Sequence, residues 1–266
     1  MPTFAESEQQ RSKRHRRRTL FDGVATLYDS SRPQYPDELI EFVASTAGLG
    51  PNSRVLEVGC GTGQLTQSLV RLGFDLTAID IGPSMIATAR RRLADSAVSL
   101  LATSFEDFAA ADASFDLIVS GTAFHWVDSE IKFDKSARLL RPGGWLAVLA
   151  TREQYDDPLG AALHEMWVAR SDDGGAWATS PEPTNAELMA ETRLFAPAIY
   201  RTHQRRLVMP ADAVVAVENT RATSLSWPAD VRHEFTEELR RRIGSRTEVP
   251  LTQHATLTVA QVVRNR

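Results

Sequence analysis

One cysteine, Cys60, stands among 266 residues, which excludes an intramolecular disulfide framework and any cysteine-rich zinc site. A chain without disulfides suits a reducing compartment, so a cytoplasmic protein is expected. No apolar run approaches the roughly 20 residues of a membrane-spanning helix, so no membrane is implied. Net charge is scarce as well. The 30 Lys and Arg against 34 Asp and Glu leave a formal charge of −4, too little for a global field that gathers nucleic acid. No internal repeat and no metal-ligand set is visible. What remains is ordinary globular composition, 42% hydrophobic and 24% charged, and long enough to bury a large core.

The positive charge is concentrated at one place. "RSKRHRRR", residues 11–18, holds six Lys or Arg and a histidine. It is no secretory signal, because no apolar stretch follows it and Glu6 and Glu8 precede it. The plain expectation is a solvated, partly disordered arm over residues 1–19, or a first helical turn. Contact with RNA or another polyanion, and a subunit contact in a homodimer, are the alternatives. No aromatic residue interleaves with these charges, which weighs against nucleic acid.

Beyond the arm, "SRPQYP" marks a turn before an amphipathic helix whose apolar face carries Leu39, Ile40, Phe42 and Val43. From residue 54 onward strands and helices alternate. "RVLEVG", "LTAID", "AVSLLATS", "FDLIVSG" and "WLAVLATR" read as strands. "GQLTQSLVRLG", "PSMIATARRRLA" and "FDKSARLL" read as helices, with "RPGG" as the turn into the fifth strand. Apolar strands separated by helices predict an α/β fold with a mostly parallel sheet covered on both faces. Ligands of such sheets sit beyond the carboxyl ends of the strands, so the informative residues should follow each strand. Residues 20–151 are expected to form this core, and 152–266 a lid that also completes the sheet. There, "AIYRTHQRRLVM" and "TQHATLTVAQVV" read as strands and "ADVRHEFTEELRRRIG" as a helix. "SDDGGAWATSPEPTN", residues 171–185, reads as a mobile loop.

The densest signal is "VLEVGCGTGQLT", residues 55–66. Gly59, Gly61 and Gly63 follow a strand, with Glu57 just upstream. A dinucleotide fingerprint would need its third glycine at position 64, which is Gln64. A carboxylate repels phosphate but suits a cationic amino-acid ligand, and glycines let the backbone pass close beneath it. This loop resembles the first motif of the class I S-adenosylmethionine-dependent methyltransferases, E/D-x-G-x-G-x-G. Further elements agree in order: "AID" ending in Asp80, "IGPSM", "SFED", "FDLIVSGTAFHWV" and "LLRPGGWLAV". The resemblance covers about residues 20–151. It implies a Rossmann-like, mostly parallel seven-stranded sheet with helices on both faces, and S-adenosyl-L-methionine as cofactor. "YDSSRPQYP" is similar to the N-terminal segment of the trans-aconitate methyltransferase-like, methyltransferase domain 11-like subgroup, where it folds over the cofactor.

Carried over residue by residue, the resemblance places Glu57, Gly59, Gly61 and Gly63 under the methionyl and ribose parts. It places Asp80 on the ribose hydroxyls and Ile81 and Met85 beside the adenine. Tyr28 and Arg32 would take the methionyl carboxylate, Arg32 by a charge-assisted pair, or Arg32 would only fix the turn with Pro33. Ser104 stands where many relatives carry an aspartate for the adenine amino group. The Phe105 backbone N–H would then meet adenine N1, with the Glu106 or Asp107 carboxylate as the substitute on the amino group. Ser120, near the end of the fourth strand, completes the set.

Methyl transfer from a sulfonium is an in-line displacement, in which alignment and water exclusion can supply about 7–11 kcal/mol of the barrier. His125 is the candidate general base, since a pKa of about 6.5 suits proton removal at neutral pH; shaping the pocket or orienting substrate is its other reading. Trp126 reads as pocket wall. His164, Trp167, Arg221 and Trp227, with Trp177 and Ser224, are candidate substrate contacts in the second half. The expected function is methyl transfer to a small-molecule acceptor, a metabolite or natural-product intermediate. RNA or protein methylation through the basic arm is one alternative. Non-methyl chemistry in the same pocket, such as cyclisation, is the other.

Overall fold

The computed structural model describes residues 8–156, 158–170 and 184–263. Trp177 and nearly all of the 171–185 stretch lie outside the described residues. The strands are β1 (Arg54–Val58), β2 (Asp75–Asp80), β3 (Ser99–Ala102), β4 (Phe115–Gly121), β5 (Leu140–Tyr155), β6 (Ile199–Pro210) and β7 (Glu248–Gln261). They form one seven-stranded sheet in the order β3-β2-β1-β4-β5-β7-β6. Pairing is parallel from β3 to β5, and β7 runs antiparallel to both of its neighbours. The mostly parallel, Rossmann-like α/β sheet is therefore as expected.

The helices are α1 (Glu8–Arg18), α2 (Ala25–Ser31), α3 (Asp37–Thr46), α4 (Gln64–Arg71), α5 (Pro83–Arg92) and α6 (Lys132–Leu139), followed by α7 (Leu159–Val168), α8 (Asn185–Thr192), α9 (Ala211–Asn219), α10 (Ala222–Leu225) and α11 (Ala229–Ile243). None of the described helices is long and apolar enough to cross a membrane.

Alternation along each strand decides which helix layer it meets. On β1, Val55 joins Leu117, Val119 and the α3–α4 residues Leu39, Ile40, Val43, Leu65 and Leu69. Its neighbours Leu56 and Val58 point the other way, into Ile118, Phe133, Leu139 and Met189. Covered on both sides, the central strands tolerate no polar face, which is why they read as continuous apolar runs. "RPGG" is not a turn ahead of β5 but an excursion within it. Phe115 faces Leu140 while Leu117 already faces Trp145, so the extra residues bulge out of register. Gly143 permits this with φ 77.

β5 and β7 outrun the parallel core as an antiparallel ladder that reaches Tyr155 opposite Leu251. Helices α7, α9 and α11 cover that projecting end with a separate core of Leu159, Leu163, Val214, Phe235 and Leu239. Trp167 and Trp227 pack on each other at 4.8 Å and on Phe235 at 5.2 and 5.1 Å. Beside them Glu218, 1% exposed, accepts from Tyr155 Oη (2.9 Å), Trp167 Nε1 (3.0 Å) and both Nε and Nη2 of Arg221 (2.8 Å each). Burial opposes ionisation of Glu218, but the Arg221 charge and these donors hold its carboxyl below the usual range. Phe235→Ala is expected to cost about 3–5 kcal/mol in urea unfolding, because its two indole partners cannot close the gap. A loss below about 1 kcal/mol would mean this cluster is not the core of the second half.

Candidate active site

The carboxyl ends of β1, β2 and β4 and the segment after β3 open on one cavity, with about 720 Å³ of space between atoms, part of it open to solvent. Its shape begins at the glycine loop. Gly59 has φ 72, and a Cβ there would lie 2.3 Å from Ala123 Cβ, so only glycine lets the β1 and β4 ends approach. Gly61 has φ 56 and lines the cavity, yet a Cβ there would meet nothing within 4 Å. That open space is where a ligand can pass over bare backbone. Gly63, with φ 94, serves packing instead, since a Cβ would press to 3.2 Å on Leu93 at the end of α5.

Asp80 ends β2 with each carboxylate oxygen engaged once by backbone. Its Oδ2 accepts from the Gly61 N–H (2.9 Å) and Oδ1 from the Gly82 N–H (2.8 Å). Each oxygen keeps a lone pair for a further donor. Burial raises the Asp80 pKa, while those two N–H donors oppose the rise. Glu57 lies behind this loop rather than on the cavity wall. It is 1% exposed, and its Oε2 has no hydrogen-bond partner among the described residues. Burial pushes its pKa up to about 8, with Thr66 opposing and the Asp80 carboxylate adding. An orphaned buried carboxylate fits a ligand that brings positive charge or N–H donors. Cys60, in the same loop, is inert as a nucleophile because burial first, then Glu57 and Asp80, push its thiol pKa well up.

Of the expected cofactor contacts, Tyr28, Gly59, Gly61, Asp80, Ile81, Met85, Ser104, Phe105 and Glu106 all line this cavity, and so does Trp126. Ser104 is held in a tight turn, donating to Asp107 (2.6 Å) and accepting from the Asp107 N–H (3.0 Å). Ser120 is elsewhere, fully buried and donating to the Val58 carbonyl (2.7 Å), where it ties β4 to β1. Arg32 is also turned away. It lies 4.8 Å over the Tyr28 ring and donates to the Thr220 carbonyl (3.1 Å) and hydroxyl (3.2 Å), fastening the end of α2 to the end of α9.

His125, the expected base, does not reach the cavity. It occupies a 3-10 turn, Phe124–Trp126, in which successive side chains point about 120° apart. Phe124 enters the core and Trp126 faces the cavity, which leaves His125 exposed and tilted against Trp126 with ring centres 4.6 Å apart. Crowding by the surrounding protein, then the Lys132 ammonium, lower its pKa. The second-half candidates fall away likewise: Trp167, Arg221 and Trp227 are engaged in the packing around Glu218 and Phe235, His164 is exposed on α7, and Ser224 is buried, donating to the Glu218 carbonyl (2.7 Å).

The basic stretch is not a solvated arm. Arg11, Arg14 and Arg18 lie on one face of α1, at the spacing that aligns helical side chains. Arg18 Nη1 donates to Glu106 Oε1 (2.7 Å), which also accepts from the Asp128 N–H (3.1 Å). Arg14 donates to the Trp126 carbonyl (2.7 Å) and lies 3.6 Å from Asp128, while Arg11 pairs with Glu130 (2.6 Å). Arg18 and Phe21 line the cavity, and Phe21 packs edgewise on Tyr28 and on Trp126, both at 5.9 Å. Phe21 carried no motif, and Arg18 was read only as part of the basic stretch. The alternation of Arg11, Arg14 and Arg18 at helical spacing was the only sequence signal.

A glycine loop, the strand-end carboxylate of Asp80 and an apolar wall of Ile81 and Met85 lie at the carboxyl edge of a 3-2-1-4-5-7-6 sheet, the arrangement of the class I methyltransferase fold. A methyltransferase domain model matches residues 56–148. An uncharacterized methyltransferase of Mycobacterium tuberculosis is 30% identical over 232 residues, spanning 85% of this chain and 86% of its own. A ubiquinone biosynthesis O-methyltransferase of Xanthomonas campestris is 35% identical over 141 residues, 48% of this chain and 59% of its own. Among solved structures, a proposed type II methyltransferase from Anaeromyxobacter dehalogenans shares the fold with TM-score 0.61 and 22% identity, covering 88% of this chain and 99% of that one. The chain belongs to the class I S-adenosylmethionine-dependent methyltransferases and is an enzyme of that family.

Two outcomes follow from the two carboxylates. Asp80→Ala is expected to weaken S-adenosylmethionine binding by about 1–3 kcal/mol in titration calorimetry, and unchanged affinity would place the ribose elsewhere. Glu57 has a folded pKa of about 8 against an ordinary 4.5. Its contribution to stability is therefore full below about 4.5 and lost as pH rises through about 8. Glu57→Gln should match the ligand-free native protein in denaturant melts at pH 4 and exceed it by up to a few kcal/mol at pH 8 to 9. Parallel pH profiles would show that Glu57 is not buried as a charge.

Proposed function

We propose that this chain binds S-adenosyl-L-methionine in the β1–β2–β4 cavity and methylates a small-molecule acceptor. The observation that carries this is the roof over the cavity. Phe21, Tyr28 and Trp126 cover it with aromatic rings, and the inward arginines of α1 are paired with the protein's own carboxylates and a carbonyl. A cleft closed by its own chain suits a compact acceptor, and a basic face already neutralised in cis offers little to a polyanion. The similarity to an O-methyltransferase of ubiquinone biosynthesis supports a small acceptor too.

In this reading Asp80 receives the ribose hydroxyls, Ile81 and Met85 flank the adenine, and the Gly59–Gly61 backbone lies under the methionyl part. Glu57, buried behind the glycine loop and off the cavity wall, makes no direct contact in this reading. When bound, the cofactor supplies a methyl group activated on a positively charged sulfur. The chain's own contribution is alignment and water exclusion at the β4 end, where Gly121, Thr122, Ala123 and Trp126 line the cavity. Thr122 is rigid there. It holds φ 53, a conformation unusual for a β-branched residue, and its hydroxyl accepts from Tyr35 Oη (3.0 Å) and the Thr151 N–H (3.3 Å). With His125 outside the cavity, no proton step is assigned to it.

The test is incubation of purified protein with methyl-labelled cofactor and a cell extract separated into small-molecule, RNA and protein fractions. Label is expected in the small-molecule fraction. Label confined to RNA or protein would overturn the acceptor class, and cofactor bound without any transfer would point to non-methyl chemistry.

A further inference from the structure

β6 stands last in the strand order, so among the described residues no strand pairs with the side turned away from β7. Such an edge is a row of unpaired N–H and C=O groups ready to template another chain. Soluble proteins blunt it with short length, bulges, proline or projecting charge. β6 is 12 residues long, pairs with β7 from Ile199 to Pro210 without a shift of register, and has proline only at its last position. Its arginines are drawn back onto their own chain. Arg201 lies 4.7 Å over the Phe42 ring, Arg205 donates to Gln253 (2.8 Å) and the Gln34 carbonyl (2.6 Å), and Arg206 donates to Asp156 (3.0 Å). The edge is left unguarded.

Alternation puts Tyr200, Thr202, Gln204, Arg206 and Val208 on one face of β6, all of them exposed. Tyr200, 54% exposed, and Val208, 61%, are the most exposed large hydrophobic residues among those described. They stand at equal distances either side of Gln204. That spacing suits a two-fold contact, in which residue i meets j and j meets i. Antiparallel pairing of two β6 strands about Gln204 sets each Tyr200 opposite Val208 of the second copy, aromatic against β-branched. In this register Arg206 faces Thr202 and Arg201 faces Leu207, so no arginine meets another. Centring the pair on His203 would set Arg201 against Arg205, and centring it on Arg205 would set that residue against itself. At the remaining basic junction, His203 faces Arg205 of the second copy. Glu38 of α3 lies 4.0 Å from His203 with its side chain 66% exposed, which places a compensating negative charge there.

We propose that β6 is the interface of a homodimer, formed with a second copy of this chain by antiparallel pairing about Gln204. The sheet then runs unbroken through both copies. The contact lies on the far side of β7 from the cavity-forming strands, and it does not depend on what the cavity binds.

Sedimentation velocity of the full chain over a concentration series should show a reversible monomer–dimer equilibrium. Cysteine pairing reads the register. Gln204→Cys sets each new thiol opposite its own counterpart, at the Cα spacing of about 4.5–5.5 Å that a disulfide spans. Thr202→Cys leaves the two thiols about 13 Å apart along the strands, beyond disulfide reach. The native Cys60 is buried, so the introduced thiol is the one that oxidises. Mild oxidation should therefore give a covalent dimer with Gln204→Cys and none with Thr202→Cys. Tyr200→Lys combined with Val208→Lys sets like charges opposite each other and should weaken dimerisation by about tenfold or more. Both side chains are exposed, so a native circular dichroism spectrum is expected of that variant. A chain that stays monomeric throughout the series would overturn the proposal. So would a dimer that ignores the double lysine variant, or one in which both cysteine variants cross-link alike.

Discussion

Everything around the cavity hangs on the Asp80 carboxylate. With one oxygen on the Gly61 N–H and the other on the Gly82 N–H, it fixes the β1 loop against the turn that starts α5. Burying a carboxylate is costly unless donors meet it, and here backbone donors do so without using up its lone pairs. The same two bonds that stabilise the apo loops therefore leave the carboxylate aimed and ready for hydroxyl donors. Asp22 repeats the device one turn further, placing a negative charge at the α5 N-terminus, where the helix dipole favours it.

Around that pivot, charge is arranged unevenly. Both Asp80 oxygens are met by donors, while Glu106 is met only at Oε1 and Glu57 is buried with Oε2 unmatched. The cost of that mismatch is carried by the rest of the fold, by the two apolar layers on either face of the sheet. The second core, around Phe235 and Glu218, has the opposite character: its buried charges are fully engaged, and it anchors the outer end of the β5–β7 ladder. Arg32 links the two regions by joining α2 to Thr220.

Much of the fold was legible along the chain because its signals are local. Continuous apolar strands, helical periodicity and Pro83 at the first turn of α5 each depend on a few neighbouring residues. The glycine loop and Asp80 were legible for the same reason, since a left-handed backbone or a strand-end carboxylate is written in its own residue type, while Ile81 and Met85 were placed only by the family resemblance. The "RPGG" excursion was not, since whether four residues turn or bulge depends on the register of β4 beside them.

What the sequence by itself determined was therefore the sheet, the glycine loop and the acidic residue that closes it. Tertiary structure alone decided which side chains of a short segment face inward. In the 3-10 turn, a difference of one residue separates Trp126 on the cavity from His125 in solvent. It also decided that the tryptophans of the second half build a core rather than a substrate wall, and that a run of arginines folds back onto Glu106, Asp128 and Glu130. These outcomes rest on contacts between residues far apart in the chain. Composition and spacing record that a side chain can be buried or paired, and only the packed fold supplies the partner.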